Sequence, residues 1–366
     1  MKLISFCSGC GGLDHGILSA YKTTLIYSCE SNKHARATLL AHHPTTVLGD
    51  DIMKTSAAKI TSDCQLTPND VLLCVGGVPC PSFSTIGKRK ALDDPRGACM
   101  TQFFHICVNL KAKYIVLENV RGLLTSAIRA QSKGSVLKYF INFLEKLEYS
   151  VSYQLYDAKY FGVPQTRDRV ILVAVKNDNA LPFLSATHGL NGLPRFQTLG
   201  DVIKTLPDTH DHTQFPQSRL KYFAMLTAGQ HWRHLPKEHQ LKAVGAATLK
   251  DKGGNTGVFR RLSYDKPSPT LLCSPTSHKT ALCHPEKVRP LSIQEYKRIQ
   301  CFPDDYEING SLLAQYRQLG NAVPIRVGMA IGKLIQEHID GHRRNCVYTR
   351  LSINKAPSYS TADTLP

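Results

Sequence analysis

Three short stretches hold side chains whose types and spacing could do chemistry together. In GGVPCPSFS, residues 76–84, Cys80 sits between Pro79 and Pro81 directly after an apolar run. Two prolines stiffen that backbone and fix the thiol in an exposed turn, whereas a packing cysteine belongs inside a strand, where Cys74 falls. Only the thiolate attacks, so a nucleophilic Cys80 needs surroundings that lower a pKa starting near about 8.5. The basic run GKRK follows at 87–90. In LENVRGLL, Glu118 and Asn119 close a second apolar run. A carboxyl group beside a nucleophile suits proton transfer or substrate gripping. In FGVPQTRDRVILV, Gln165, Arg167 and Arg169 alternate, so both arginines leave one face of a strand. Two cations on one face suit an anionic or carbonyl-bearing substrate; the plainer reading is a pair of surface arginines in salt bridges.

The stretch ISFCSGCGGLDHG, residues 4–16, carries a Cys-x-x-Cys at Cys7 and Cys10. That pattern reads as half a zinc site, a redox dithiol or neither. A second Cys-x-x-Cys is absent and Cys283–His284 lacks the spacing to another ligand pair, so no metal is expected. Gly9, Gly11 and Gly12 follow a strand-like run and precede helical spacing. In a doubly wound fold such a turn faces the ligand, which lies at the carboxyl ends of the strands. The pattern is not a full GxGxxG, because Asp14 stands where the third glycine would be. Glu30 ends the next apolar run, where an acidic residue accepts hydrogen bonds from ribose hydroxyls. A nucleoside-containing cofactor and an ordinary tight turn both remain open at this point.

These residues meet only if several strands end in one crevice, and the chain supplies them. KLISFCSG, TTLIYSCE, TTVLGDDI, DVLLCVGG, AKYIVLENV and RVILVAV read as strands, the last apolar enough for a buried parallel one. LDHGILSAYK, SNKHARATLLAHH and SVLKYFINFLEKLEYS have helical spacing, the second capped by Ser31 or Asn32. The alternation predicts an α/β fold with a doubly wound sheet and helices on both faces. Residues 183–290 change character, with Pro, Gly, His, Thr and Lys, weak periodicity and the only tryptophan, Trp232. Helical spacing returns in SIQEYKRIQCF and IRVGMAIGKLIQEHI, and residues 343–366 read as a flexible tail.

Bulk composition narrows the function class. With 366 residues and 42% apolar content, a sizeable core is expected rather than disorder. No apolar run approaches the ~20 residues of a membrane span, and the first residues are too weakly apolar for a secretion signal, so a soluble intracellular protein is expected. The 12 cysteines are expected to be free thiols. A formal charge of +17 suits a polyanion, nucleic acid above all.

Taken in order, FCSGCGGLDHG, Glu30, GDDI, PCPSFS, LENV, QTRDR, RPLSIQEYKRIQCFPD and RQLGNAVP resemble the motif series of the DNA cytosine-5 methyltransferases, from about residue 3 to 335. The resemblance implies a Rossmann-like S-adenosylmethionine-dependent methyltransferase domain built from residues 1–182 and 291–342. It also implies a smaller, loop-rich target-recognition domain at 183–290. Methyl transfer would go from S-adenosylmethionine to C5 of a flipped-out cytosine in duplex DNA, leaving S-adenosylhomocysteine. Cys80 matches the nucleophile, Glu118 the group gripping the N3 and amino edge, Arg169 the group holding O2, and Arg167 its support. Cys7, Ser8, Gly9, Cys10, Gly11 and Gly12 would wrap the amino-acid part of the cofactor, with Phe6 and Leu13 also on the cofactor side. Glu30 and Ser31 would take the ribose, Asp51 and Ile52 the adenine, and Pro79, Cys99, Asn321 and Ala322 the rest of the wall. The family's adenine-packing Phe stands at the position of Cys7, whereas here the aromatic is Phe6.

On the DNA side the resemblance points to Ser84 and Lys88 near the nucleophile, and to Arg260, Arg261, Thr270, Leu271 and Lys279, with Trp232, in the variable region. It further implies a monomer acting on double-stranded DNA in the cytoplasm, of bacterial or phage type, paired by family habit with a restriction endonuclease. A transfer-RNA methylating relative would carry Cys-Phe-Thr in the variable region, and this chain has only CFP at Cys301. An inactive DNA-binding regulator would show damage at Cys80, Glu118 or the arginines. A dehydrogenase is opposed by the missing third glycine.

Overall fold

Strict alternation in the strands decides the architecture. The computed structural model describes residues 1–79, 95–128, 132–208, 211–245, 259–277 and 281–342. Strands β1 (Lys2–Phe6), β2 (Thr24–Cys29), β3 (Val47–Gly49), β4 (Leu72–Gly76), β5 (Tyr114–Val120), β6 (Tyr149–Asp157) and β7 (Asp168–Lys176) form one sheet in the order β3-β2-β1-β4-β5-β7-β6. Leu3, Leu73, Val75, Val116, Ile171 and Val173 face one layer, whereas Ile4, Phe6, Cys74, Ile115, Leu117 and Leu172 face the other. Both faces are apolar, so helices must cover both.

The first layer holds α1 (Gly12–Ala20) and the last helix; the second holds α4 (Pro95–Asn109) and α5 (Ser135–Glu145). Between them in sequence lie α2 (Lys33–His42), which Asn32 caps by accepting from the backbone N–H of His34 and Ala35, and α3 (Ala57–Asp63). Two sequence expectations change. The RVILVAV segment is not parallel: β7 pairs antiparallel with both β5 and β6. The chain reaches β7 straight from β6 and doubles back, and its residues are apolar because both faces are covered, whatever the strand direction. The helix expected through SVLKYFINFLEKLEYS stops at Glu145; Glu148 turns with φ 60° and Tyr149 starts β6. Strand β6 and helices α3 and α4 are additional to the sequence reading.

After β7 the chain forms α6 (Leu199–Ile203), α7 (Gln217–Ala224), α8 (Lys237–Val244) and a two-stranded pair, β8 (Arg260–Arg261) with β9 (Leu282–Cys283). It then returns through α9 (Ile293–Ile299), α10 (Leu312–Asn321) and α11 (Ile325–Ile339). Phe215, Phe223, Trp232, Phe259 and Cys283 belong to a core of their own, with Phe223 and Phe259 stacked 4.0 Å apart. Trp232 is therefore core, not a DNA-facing aromatic. Leu181 and Leu184 instead pack with the sheet, and Leu199 and Ile203 pack with α9 and α10. The self-contained core thus spans Phe215 to Cys283, inside the 183–290 region. Arg289 bolts the junction, donating to Asp208 at 2.8 Å and to both Glu295 oxygens at 2.8 and 2.9 Å. Among the described residues no helix is long and apolar enough to cross a membrane.

Helices α1 and α11 meet backbone to backbone. A Cβ on Gly16 would lie 2.2 Å from the Ile325 carbonyl oxygen, and one on Gly328 2.6 Å from that of Leu13. In an open helix Gly→Ala gains about 1 kcal/mol of propensity. Here the rigid clash wins, since overpacking costs about 1–3 kcal/mol. Gly16→Ala is expected to lower the thermal midpoint; an unchanged or higher midpoint would refute the close crossing.

Candidate active site

The turn after β1 owes its shape to left-handed backbone. Cys7, Gly9 and Gly11 take φ of 52°, 57° and 80°, and Gly11 leads into α1. Glu30, at the end of β2, holds the turn: its Oε2 accepts from the Gly9 N–H and its Oε1 from the Asn32 N–H, both at 2.8 Å. Asp51, after β3, accepts from the Met53 N–H at 2.9 Å. These strand ends and the α10–α11 connection enclose a cavity of about 650 Å³.

The structure brings Phe6, Cys7, Ser8, Gly9 and Leu13 to this cavity, with Glu30, Ser31, Asp51, Ile52, Pro79, Cys99, Asn321 and Ala322. Cys10, Gly11 and Gly12 are not among its lining residues. Cys10 is fully buried, with its thiol toward the Gln318 carbonyl. Gly11 lies under the Tyr306 hydroxyl, and a Cβ on Gly12 would lie 2.4 Å from the Val323 carbonyl oxygen. These three shape the turn from behind. Phe6 packs its ring on Phe103 at 5.6 Å, edge to face, within the sheet core. Burial, then the Glu30 carboxylate, pushes the Cys7 thiol upward; burial pushes Cys10 up to about 12. Both stay protonated at neutral pH, so neither behaves as a redox thiolate. Among the described residues no group of three or more His, Cys, Asp or Glu could hold a metal ion.

Under the turn runs a chain of hydroxyls. Ser28 donates to Ser8 at 2.6 Å, Ser8 to Ser5 at 2.8 Å, and Ser5 to Oδ1 of Asp14 at 2.7 Å. Asp14 is fully buried and lines the cavity, and its Oδ2 has no hydrogen-bond partner. Burial drives its carboxyl up to about 7, against the Ser5 hydrogen bond that lowers it; Glu30 adds to the rise.

The other wall is polar and paired. Arg169 at the start of β7 meets Glu118 at the end of β5, Nε to Oε1 at 2.6 Å. Arg167 is buried, and its guanidinium donates to the Leu271 carbonyl at 3.0 Å, the Gly320 carbonyl at 2.9 Å and Gln165 Oε1 at 3.4 Å. Burial, then Arg169, lowers its pKa to about 9, which leaves it charged at neutral pH. It ties β7 to the Leu271 segment and to the end of α10, so it holds the wall rather than facing solvent. Asn119 donates to the Val78 carbonyl at 3.0 Å and so pins the segment leading to Pro79. Cys80 itself, with Ser84, Lys88 and Lys279, lies outside the described residues.

For the DNA-side expectations, Leu271 is corrected: its side chain is fully buried in the core shared with α9 and α10. Arg261 spends its guanidinium on the Pro285, Leu226 and Glu286 carbonyls. Thr270 donates to the Thr166 carbonyl at 2.8 Å, and Arg260 is half-buried with Nε unpartnered. Sequence reading missed Ser5, Asp14, Cys273, Arg317 and Gln318 as residues of this site. Asp14 carried a signal, as the residue replacing the third glycine; Cys273 and Arg317 carried none.

The C-5 cytosine-specific DNA methylase family matches residues 1–337. The chain is 33% identical over 351 residues to the Type II methyltransferase M.Eco47II of Escherichia coli, covering 92% of this chain and 79% of that protein. It is 31% identical over 341 residues to M.Sau96I of Staphylococcus aureus, covering 91% and 75%. Among solved structures, the S. pombe Dnmt2 methyltransferase superposes with a TM-score of 0.65 at 15% identity, covering 93% of this chain and 99% of that one.

Arg167→Met keeps the length of the side chain but leaves the Leu271 and Gly320 carbonyls without their donor. An orphaned buried acceptor costs about 1–3 kcal/mol. The variant is expected to unfold at lower urea concentration; an unchanged midpoint would show that Arg167 is not what joins the two walls.

Proposed function

The chain belongs to the C-5 cytosine-specific DNA methylase family and is a DNA cytosine-5 methyltransferase; from that premise we propose how its own residues divide the work. The observation that carries the proposal is the paired Glu118 and Arg169, which share one cavity with the glycine turn and Glu30. A base-sized ring and a nucleoside cofactor need such adjoining polar ends.

S-adenosylmethionine is the cofactor, and when bound it supplies an activated methyl group to cytosine C5. The residues fit it: Glu30 for ribose hydroxyls, Asp51 and Ile52 for the adenine, and Asp14, which lines the same cavity with its buried Oδ2 unpartnered. Cys80 attacks C6 of the cytosine and makes C5 nucleophilic. Glu118 accepts from the amino group with one oxygen and, engaging the base in its protonated form, donates from the other to N3, where negative charge develops during attack. Arg169 faces O2, and its ion pair keeps both side chains in one orientation before the base arrives. Arg167 holds the strand end from behind. After methylation the C5 proton leaves, Cys80 is expelled and the aromatic ring is restored. A stacked base cannot reach such a cavity, so the cytosine is flipped out of the duplex.

The net charge of +17 supports phosphate contacts along the duplex and a steep fall of affinity with salt. Arg260 and Thr270 of the variable region, with Ser84, Lys88 and Lys279, are the DNA-contacting candidates. The Type II relatives support a modification role protecting DNA from a matching restriction endonuclease, without obligatory contact between the two enzymes. The enzyme works as a cytoplasmic monomer.

A duplex carrying 5-fluorocytosine at the target is expected to be trapped as a covalent adduct, because fluorine cannot leave as a proton does. Cys80→Ala should abolish both the adduct and methyl transfer while duplex binding survives in a mobility-shift assay. Full residual transfer by that variant would overturn the nucleophile assignment.

A further inference from the structure

Asp14 plays no part in the chemistry just described, yet it is the most conspicuous charge of the site. Its carboxyl is fully buried, one oxygen takes the Ser5 hydroxyl, and the other has no partner while the residue lines the cavity. The titratable groups that face it are Glu30 from the end of β2, the Cys10 thiol of the turn and the Tyr306 hydroxyl between α9 and α10. All are neutral or anionic. Among the described residues no lysine, arginine or histidine forms an ion pair with it. A bond to Ser5 alone would be served by an asparagine, or by a serine pair, without burying an ionisable group. A buried carboxylate without a cation is unfavourable, so the arrangement is incomplete until something positive enters.

We propose that Asp14 is the counter-charge of the cofactor, its free Oδ2 pairing with a cationic centre at the methionine end of S-adenosylmethionine. The inference rests on the cofactor reading above. With Glu30 taking the ribose, the methionine end would be held by the residues of the turn and the start of α1, where Asp14 lines the cavity. Two cationic centres are available there, the α-ammonium and the sulfonium; S-adenosylhomocysteine keeps only the first, and 5′-methylthioadenosine has neither.

Proton linkage follows from the geometry. In the empty site burial holds the carboxyl up to about 7. A cation favours its ionised form, so binding releases a proton below that value, and affinity rises with pH up to about 7 and levels off above it.

The test is calorimetry on the full chain at pH 6.5, in two buffers of different ionisation enthalpy, with all three ligands, comparing wild type and Asp14→Asn. Expected are proton release when S-adenosylmethionine binds wild type, loss of that release in the variant, and about tenfold weaker binding. Methylthioadenosine should bind both proteins alike. A matching loss for S-adenosylhomocysteine assigns the ammonium as partner; a loss confined to S-adenosylmethionine assigns the sulfonium. The ligand-free variant should melt at or above wild type at pH 8, since an orphaned buried charge has been removed. The wild-type proton count needs no variant, so it stands even if Asp14→Asn folds poorly. No proton release by wild type, or a variant binding within about twofold of wild type, overturns the assignment. Wild type that binds none of the three ligands sinks the cofactor reading itself, and this inference with it.

Discussion

The close crossing of α1 and α11 is the constraint on which the site depends. The chain's last described helix and the connection leading into it press so tightly on its first helix that no Cβ fits at Gly12, Gly16 or Gly328 without meeting backbone. Side chains would hold two helices about 8–10 Å apart; glycines let them come closer. That contact brings Asn321, Ala322 and Val323 beside the turn at Cys7–Gly9, so residues from opposite ends of the sequence form one wall. Tyr306 adds to it, donating to the Cys10 carbonyl at 2.8 Å from the same C-terminal region. The cavity is therefore a property of the closed chain. No stretch of the first half would make it alone.

Within that wall the charges are sorted. Carboxylates gather around the turn, where Glu30 is spoken for by two backbone amides and Asp51 by one. Across the cavity, Glu118 has Arg169 beside it, and Arg167 lies behind among carbonyls. Paired and hydrogen-bonded groups keep their orientation at little further cost when a ligand arrives. The rigid ends differ in sign and partner: acceptors on the turn side suit hydroxyls and amines, while the Glu118–Arg169 pair offers an acceptor and donors together, the pattern a pyrimidine edge requires.

Much of this was legible in the sequence, for reasons that can be named. Strand ends were readable because apolar runs stop where chemistry begins, at Phe6, Glu30, Glu118 and Asn119. The turn was readable because left-handed backbone selects glycine, at Gly9 and Gly11. The direction of β7 was not, because covering both faces makes a strand apolar whether it runs parallel or antiparallel. Helix α4 did carry a signal that went unused: Met100, Phe103, Phe104 and Cys107, all buried, stand at i, i+3, i+4 and i+7 on one face. The side chains proposed for the DNA side were least legible. Arg261 and Arg260 are neighbours with the same formula, yet the first is consumed by three carbonyls and the second is not. Only loop geometry separates them.

The departure at residue 14 then has a physical explanation. In a dinucleotide fold the third glycine of the turn lets the helix pack closely. In this chain that close approach is made instead at Gly12, against Val323, and at Gly16, against α11. Position 14 is two residues round from each, away from the crossing and toward Ser5 on β1. It is thereby released from the steric demand that would hold it to glycine. A residue there faces the sheet and the cavity rather than another helix, so a side chain as large as a carboxylate fits.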